Sequence, residues 1–329
     1  MKAKLIPQIH HERLALQEHI PLATPLVIYL EPSGYCNLKC VFCPHSCGGK
    51  VLKKDFMPVK LFEKTIDDLS AFPETIKLLR VCGTGETLMN KNIAEMLKYA
   101  KEQKTIERIE LVTNGTLLNA DLIKDLPHFA DRIVCSIEGL CSEDYQRTCN
   151  TSINFQSLLD NLKALHACKG ECVIHIKIHN EAVLSEDRKA TFLNMFSGYC
   201  DEIYIEKLVP MWPQLDIGRA PDEFRWGGKL SKHRICAQIF KGVQVQADGE
   251  VVPCCVDWKR VNVLGNVNKE SLYEIWNSKK LRELQIEHLI GNKSKTEPCK
   301  DCTMNDYCEI DNIDLYAQEC IGRLRRLNC

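Results

Sequence analysis

Cys36, Cys40 and Cys43 sit close together in the run Cys36-Asn37-Leu38-Lys39-Cys40-Val41-Phe42-Cys43, directly after the apolar stretch Val27-Ile28-Tyr29-Leu30. An iron-sulfur cubane is generally held by four thiolates. Three thiols on one loop, with no evident fourth, point to a cluster that leaves one iron open to a further ligand, and so to redox chemistry there. A zinc site is the plainer alternative. Zinc usually gathers four ligands from pairs spaced C-x2-C to C-x4-C, which a crowded triplet matches less well.

A second cysteine system occupies the C-terminal third: Cys236, Cys254, then Cys299, Cys302 and Cys308, and later Cys320. Residues 243–254 read as a β-hairpin with Asp248-Gly249 at its turn, which delivers Cys254 on the return strand. Ser271 is placed to cap the helix that follows it. A zinc knuckle at Cys299, Cys302 and Cys308 is the plain rival here.

The first spacing, C-x3-C-x2-C with Phe42 just before the last cysteine, resembles the signature of the radical S-adenosylmethionine (SAM) superfamily. The resemblance implies that Cys36, Cys40 and Cys43 ligate a 4Fe-4S cluster and that Phe42 lies near the adenine of SAM. It also implies that the amino and carboxylate groups of SAM chelate the open iron, and that an electron splits SAM into methionine and a 5'-deoxyadenosyl radical. The cofactor then carries the radical chemistry while the protein supplies position and electronics. Gly83-Thr84-Gly85-Glu86 resembles the family's GGE segment, with Gly85 and Glu86 carrying the match. That segment's backbone binds the SAM amino group, glycine permits close backbone approach, and a carboxylate favours an ammonium. Asn114 in Thr113-Asn114-Gly115 and Ser136 in Ser136-Ile137-Glu138-Gly139 resemble family positions that reach the ribose and methionine parts of SAM. Glu138 stands where the family more often has Asp.

The C-terminal cysteines resemble the SPASM/twitch extension of this superfamily, as do Leu264-Gly265-Asn266-Val267 and 271–278. The resemblance implies at least one auxiliary 4Fe-4S cluster among Cys236, Cys254, Cys299, Cys302, Cys308 and Cys320. A two-cluster domain would have a further cysteine where this chain has Asn312, so one set, Cys236, Cys254, Cys299 and Cys302, and another, Cys299, Cys302, Cys308 and Cys320, both stay open. Cys255 occupies the place of an acidic general base in sulfatase-maturating relatives. As a thiol it can return a hydrogen atom to a substrate radical, which makes it a catalytic candidate. It can equally be a small buried hydrophobe or a cluster ligand.

Composition narrows the field. The 329 residues suit about two domains, and nineteen cysteines occur in a chain whose start, Met1 to Pro7, has no apolar signal region, which favours metal binding over disulfides. No apolar run reaches the length of a membrane span, and Lys plus Arg (43) nearly balances Asp plus Glu (44). Neither nucleic acid nor membrane is therefore expected as a partner. The chain reads as soluble and cytoplasmic, with a small-molecule or peptide substrate and, from the resemblance, a flavodoxin- or ferredoxin-type electron donor.

The elements that must position these residues are legible in the hydrophobic pattern. Strands are expected at Val27 to Leu30, Ile76 to Val81, Arg108 to Val112, Arg132 to Ile137, Cys172 to Ile178 and Glu202 to Leu208, nearly continuous in Val, Ile and Leu and so buried on both faces. Helical spacing links Phe62, Ile66 and Leu69, then Ile93, Met96, Leu97 and Ala100, then Phe155, Leu158, Leu159, Leu162 and Leu165. The fold class is α/β: a partial (βα)6 barrel of the radical SAM type over 27–224, a SPASM/twitch domain of hairpin plus helices over 225–329, and an N-terminal extension over 1–26. That extension is too short for a winged peptide-recognition domain. The motifs follow successive strands, at the carboxyl ends where barrel enzymes gather ligands.

The remaining thiols, Cys47, Cys82, Cys135, Cys141, Cys149, Cys168, Cys172, Cys200 and Cys329, have no spacing that assigns a role, although Cys82 and Cys135 lie near strand ends and so near the mouth. His175 and His179 alternate on a strand and read as structural or pocket-lining. The leading reading is oxidation (dehydrogenation) of a substrate C–H position, with the auxiliary cluster taking or relaying an electron. Epimerisation with a cysteine hydrogen donor is one alternative, and a non-enzymatic iron-sulfur electron carrier is another.

Overall fold

The computed structural model describes residues 2–9, 14–47, 52–210, 222–230, 233–308 and 310–326. Cys329, with His10 and His11 of the extension, lies outside them. One sheet runs through the molecule, built from β1 (Lys4–Leu5), β2 (Val27–Leu30), β3 (Leu78–Val81), β4 (Ile109–Thr113), β5 (Arg132–Ile137), β6 (Val173–His179), β7 (Glu202–Glu206), β8 (Gly242–Val245), β9 (Glu250–Val252) and β10 (Gly265–Asn266). Its order is β1-β7-β6-β5-β4-β3-β2-β8-β9-β10. Strands β2 to β7 are the six parallel strands of the partial barrel. Helices Val59–Asp67, Ile93–Glu102, Ala120–Phe129, Phe155–Cys168 and Glu186–Phe196 cross between them, and each buries the apolar face that its periodicity marks.

Both edges of this sheet extend beyond the six barrel strands. The N-terminal extension does not stand outside the barrel, because β1 pairs in parallel with β7. On the other edge the hairpin strand β8 pairs in parallel with β2, so the second domain continues the first domain's sheet. The hairpin turn itself is as expected: Gly249 has φ +87°, a conformation open to glycine. Ser271 caps its helix in a reciprocal capping box with Glu274.

The expectation of strands apolar on both faces also needs correction. The pleat alternates, and the registers place Gln244, Tyr29, Arg80, Glu110 and Arg132 on one face. His175, Lys177 and His179 of β6 fall on that same face opposite Glu202, Tyr204 and Glu206 of β7. The opposite face, with Ile28, Leu79, Ile109, Ile133, Ile174 and Ile203, joins the apolar core under the helices. Cys135 belongs to that core face, so it does not line the mouth.

Buried charge on the inner face is paired rather than left bare. Glu110 is fully buried and accepts from Arg80 Nε at 2.6 Å, Arg132 Nη1 at 2.9 Å and Gln8 Nε2 at 3.2 Å. Arg132 reaches on to Glu202, His175 Nδ1 and the Gln8 carbonyl, which ties the N-terminal segment into the barrel. Burial pushes the Glu110 carboxyl up, but Arg80 and Arg132 outweigh it and hold it at about 2. No helix among the described residues is long and apolar enough to cross a membrane.

Glu110→Gln leaves two guanidinium groups without their carboxylate, and the expected loss is about 3–5 kcal/mol in denaturant unfolding. The pH dependence has a definite sign. A carboxyl whose ordinary value of 4.5 drops to about 2 on folding contributes its stability above about pH 4.5 and loses it as the pH falls through about 2. Unfolding midpoints measured across that window should flatten in Glu110→Gln relative to the parent chain.

Candidate functional site

The cysteine loop leaves β2 and is clamped by backbone hydrogen bonds from several sides. Gly34 N–H donates to Asp55, Lys39 N–H to Cys149 and Val41 N–H to Thr148, and Cys43 N–H closes a turn on Cys40. The loop after β3 lies directly against it. A Cβ on Gly85 would stand 2.2 Å from the Ser33 carbonyl and 2.5 Å from that of Tyr35, so only glycine allows this approach. Glu86 N–H then donates to the Tyr35 carbonyl at 2.8 Å.

The Glu86 side chain is engaged within the protein. Its Oε1 accepts from Leu88 N–H and the Thr113 hydroxyl, and its Oε2 accepts from Asn114 N–H at 2.7 Å. A carboxylate 4 % exposed and engaged by three donors joins the loops after β3 and β4. Asn114 is likewise committed. Its Nδ2 donates to Asn37 Oδ1 at 2.9 Å and its Oδ1 accepts from Thr116, so it fastens the cysteine loop. Ser136 is half-buried on the inner face at the end of β5. Phe42 meets the His179 ring edge-on, with centroids 4.8 Å apart.

The thiols divide into groups. Cys36 Sγ accepts from Leu38 N–H, Cys254 Sγ from Val256 N–H and Cys302 Sγ from Met304 N–H, each at 3.4 Å and each two residues on. An N–H aimed at sulfur favours the thiolate that iron requires, so the donor chemistry fits an iron-sulfur cluster at both ends. Cys40 Sγ lies 3.4 Å from Sγ of the fully buried Cys149. Burial pushes the Cys254 thiol well up, and the adjacent Cys255, Cys302 and Cys236 add to the effect. Burial, then the neighbouring Cys302, push Cys299 to about 12. Both ligand sets left open by the sequence contain neighbouring thiols: Cys254 with Cys236 and Cys302, and Cys302 with Cys299 and Cys308. Cys308 neighbours Cys255 and Cys302 and faces the cavity. Cys320 sits on the apolar face of helix Ala317–Arg326 with Leu16, Ile20 and Leu324, fully buried. Its sulfur contacts the Gln17 carbonyl and Arg323. No three His, Cys, Asp or Glu side chains among the described residues converge on a single ion-sized point.

A cavity of about 460 Å³ lies between the two cysteine groups. Cys43, Gly83 and Thr84 border it on one side, and Cys255 and Cys308 on the other. The inner-face residues Tyr29, Arg80, Cys82 and Gln244 supply its wall, with Arg225 and Trp226 from the segment that links the domains. Beside the cysteine loop, Glu138 is held up to about 7, chiefly by burial, and His179 is held down to about 4, again by burial, with 3.5 Å between them. Glu206 pairs with Lys177 at 3.0 Å and Arg225 at 2.6 Å. Sequence reasoning missed Tyr29, Arg80, Lys177, Glu206, Arg225 and Gln244. For the strand residues the signal was present: each interrupts an apolar run at period two.

Residues 30–183 match the model of the radical SAM superfamily, and residues 236–303 match SPASM, an iron-sulfur cluster-binding domain. The tungsten-containing aldehyde ferredoxin oxidoreductase cofactor-modifying protein of Pyrococcus furiosus is 23 % identical, covering 89 % of this chain and 92 % of that protein. The S-adenosyl-L-methionine-dependent 2-deoxy-scyllo-inosamine dehydrogenase of Niallia circulans is 21 % identical over 84 % of this chain and 92 % of its own. The crystal structure of BtrN in complex with AdoMet and 2-DOIA superposes with a TM-score of 0.59 at 19 % identity, covering 89 % of this chain and 97 % of that one.

Iron analysis tests the grouping of the thiols. Anaerobically reconstituted protein should hold about eight irons per chain, two cubanes of four. Cys302→Ala should lose about four of them, while Cys320→Ala keeps the full content; a loss in Cys320→Ala would return that residue to the ligand set.

Proposed function

The chain belongs to the radical SAM superfamily and carries a SPASM iron-sulfur domain, and from that premise we propose that it dehydrogenates a small-molecule or peptide substrate held between the two cysteine groups. The observation that carries this reading is one cavity bordered by Cys43 and by Cys255 and Cys308. Cys36, Cys40 and Cys43 would hold the SAM-binding 4Fe-4S cluster, and Cys236, Cys254, Cys299 and Cys302 an auxiliary one. When bound, these groups and SAM supply a 5'-deoxyadenosyl radical for hydrogen abstraction and an acceptor for the electron left on the substrate.

The chain's own residues position and enclose. Glu86, Asn114 and Asn37 lock the three loops that carry the first site, so Cys43 and the Gly83-Thr84 segment meet the cavity in a set arrangement. On the far wall Cys255 adjoins Cys254, which brings an auxiliary cluster within one residue of the substrate and supports oxidation with electron removal. The reading includes the reducing cytoplasm and an external flavodoxin- or ferredoxin-type donor.

A second reading rests on the same wall. Cys255 presents a thiol to the cavity, as an epimerase that quenches its substrate radical would need.

Dithionite-reduced protein should form 5'-deoxyadenosine from SAM under anaerobic conditions, and alanine at Cys36, Cys40 and Cys43 together should abolish it. Turnover in heavy water separates the two readings. A product two hydrogens lighter, formed equally by Cys255→Ser, supports dehydrogenation; deuterium at the reacting carbon, lost in Cys255→Ser, supports epimerisation.

A further inference from the structure

The cavity wall carries three polar groups that the fold itself leaves unanswered. Arg80 spends its Nε on Glu110 at 2.6 Å and rests its guanidinium over the Tyr29 ring, 5.7 Å from the centroid. Its two terminal nitrogens meet no hydrogen-bond acceptor among the described residues, although the residue is only 8 % exposed. Gln244 is 2 % exposed, and its Oε1 has no partner among the described residues. Trp226 Nε1 is buried and unpartnered in the same way. All three residues line the cavity, and Gln244, Tyr29 and Arg80 are side by side in one row of the sheet.

Unsatisfied buried polar groups are costly, and Gln244 Oε1 and Trp226 Nε1 are two of them; with the unused guanidinium edge of Arg80 on the same cavity wall, they specify what should enter it. We propose that the substrate is an organic acid: its carboxylate is held by the free edge of Arg80, and a hydroxyl or amine beside that carboxylate donates to Gln244 Oε1. This deepens the dehydrogenase reading and rests on it.

The remaining edge of Arg80 offers two parallel N–H groups, the arrangement that a two-oxygen carboxylate matches. A dianionic phosphate would call for further free cations. The other cations of the wall are already committed, Arg225 to Glu206 at 2.6 Å and Lys241 to Asp311 at 2.7 Å. Trp226 Nε1 is an additional donor for a substrate oxygen, and Leu14, Leu26 and Met304 of the lining leave an apolar surface for the rest of the molecule. Cys255 is on this wall, so the carbon next to the bound carboxylate is presented to the thiol side.

Calorimetry on the cluster-loaded, SAM-bound protein tests the assignment with three probes: 3-phenyllactate, its neutral amide 3-phenyllactamide, and 3-phenylpropionate, which lacks the hydroxyl. Phenyllactate should bind at least about tenfold more tightly than either of the others, the scale of one charge-assisted hydrogen bond. Arg80→Gln should remove the preference for acid over amide. Gln244→Leu should remove the preference for hydroxy acid over 3-phenylpropionate while keeping that for acid over amide. Iron content and melting temperature report whether Arg80→Gln folds; if it does not, Arg80→Lys keeps the charge and loses the fork, and its acid preference should shrink. Equal binding of acid and amide by the parent protein, no saturable binding of any probe, or an acid preference undiminished in the Arg80 variants would overturn the proposal. Formation of 5'-deoxyadenosine in the same parent samples keeps the two claims apart: cleavage without acid preference defeats the carboxylate assignment alone, and absence of cleavage defeats the dehydrogenase reading.

Discussion

The buried carboxylate of Glu86 is the interaction on which the first site depends. A charge in this position is costly unless its lone pairs are answered, and the Thr113 hydroxyl with the Leu88 and Asn114 N–H groups answers them. The consequence is geometric. The loop after β3 is fastened to the loop after β4 by this side chain and to the cysteine loop by Glu86 N–H and the close packing of Gly85. Asn114 and Asn37 add a second fastening between the cysteine loop and β4. Loops are ordinarily the mobile part of a barrel; here they brace one another before any ligand arrives.

The inner face of the sheet shows the same economy on a larger scale. Glu110 joins Arg80 and Arg132 across three adjacent strands, and Glu206 joins Lys177 and Arg225. These pairs make a polar interior tolerable in a fold whose outer strand face is mostly apolar. They also leave selected groups over. Arg80 is held by one nitrogen and keeps two, which is how a structural ion pair and a binding group coexist in one side chain.

The second domain is not a separate body hung on the barrel. Strand β8 extends the sheet beside β2, and that pairing carries the hairpin, and with it Cys254 and Cys255, to the edge of the same cavity that Cys43 borders from the other side. Within this domain the short turns that aim backbone N–H groups at Cys254 and Cys302 belong to the thiols that adjoin one another. Cys320 has instead the surroundings of a core residue.

Much of this was legible from residue order. The spacing of Cys36, Cys40 and Cys43, the Asp248-Gly249 turn, the cap at Ser271 and the helical spacing of Ile93, Met96, Leu97 and Ala100 are local patterns, and local patterns are set by neighbours a few residues apart. Six parallel strands followed from the apolar runs, because such runs must be covered by helices. Which of the later cysteines adjoin, what Glu86 and Asn114 hold, and that Arg80, Gln244 and Trp226 share a cavity were decided by tertiary structure alone. Each of those relations joins residues far apart in the chain through strand register, and register is settled by the packing of the whole sheet rather than by any one segment.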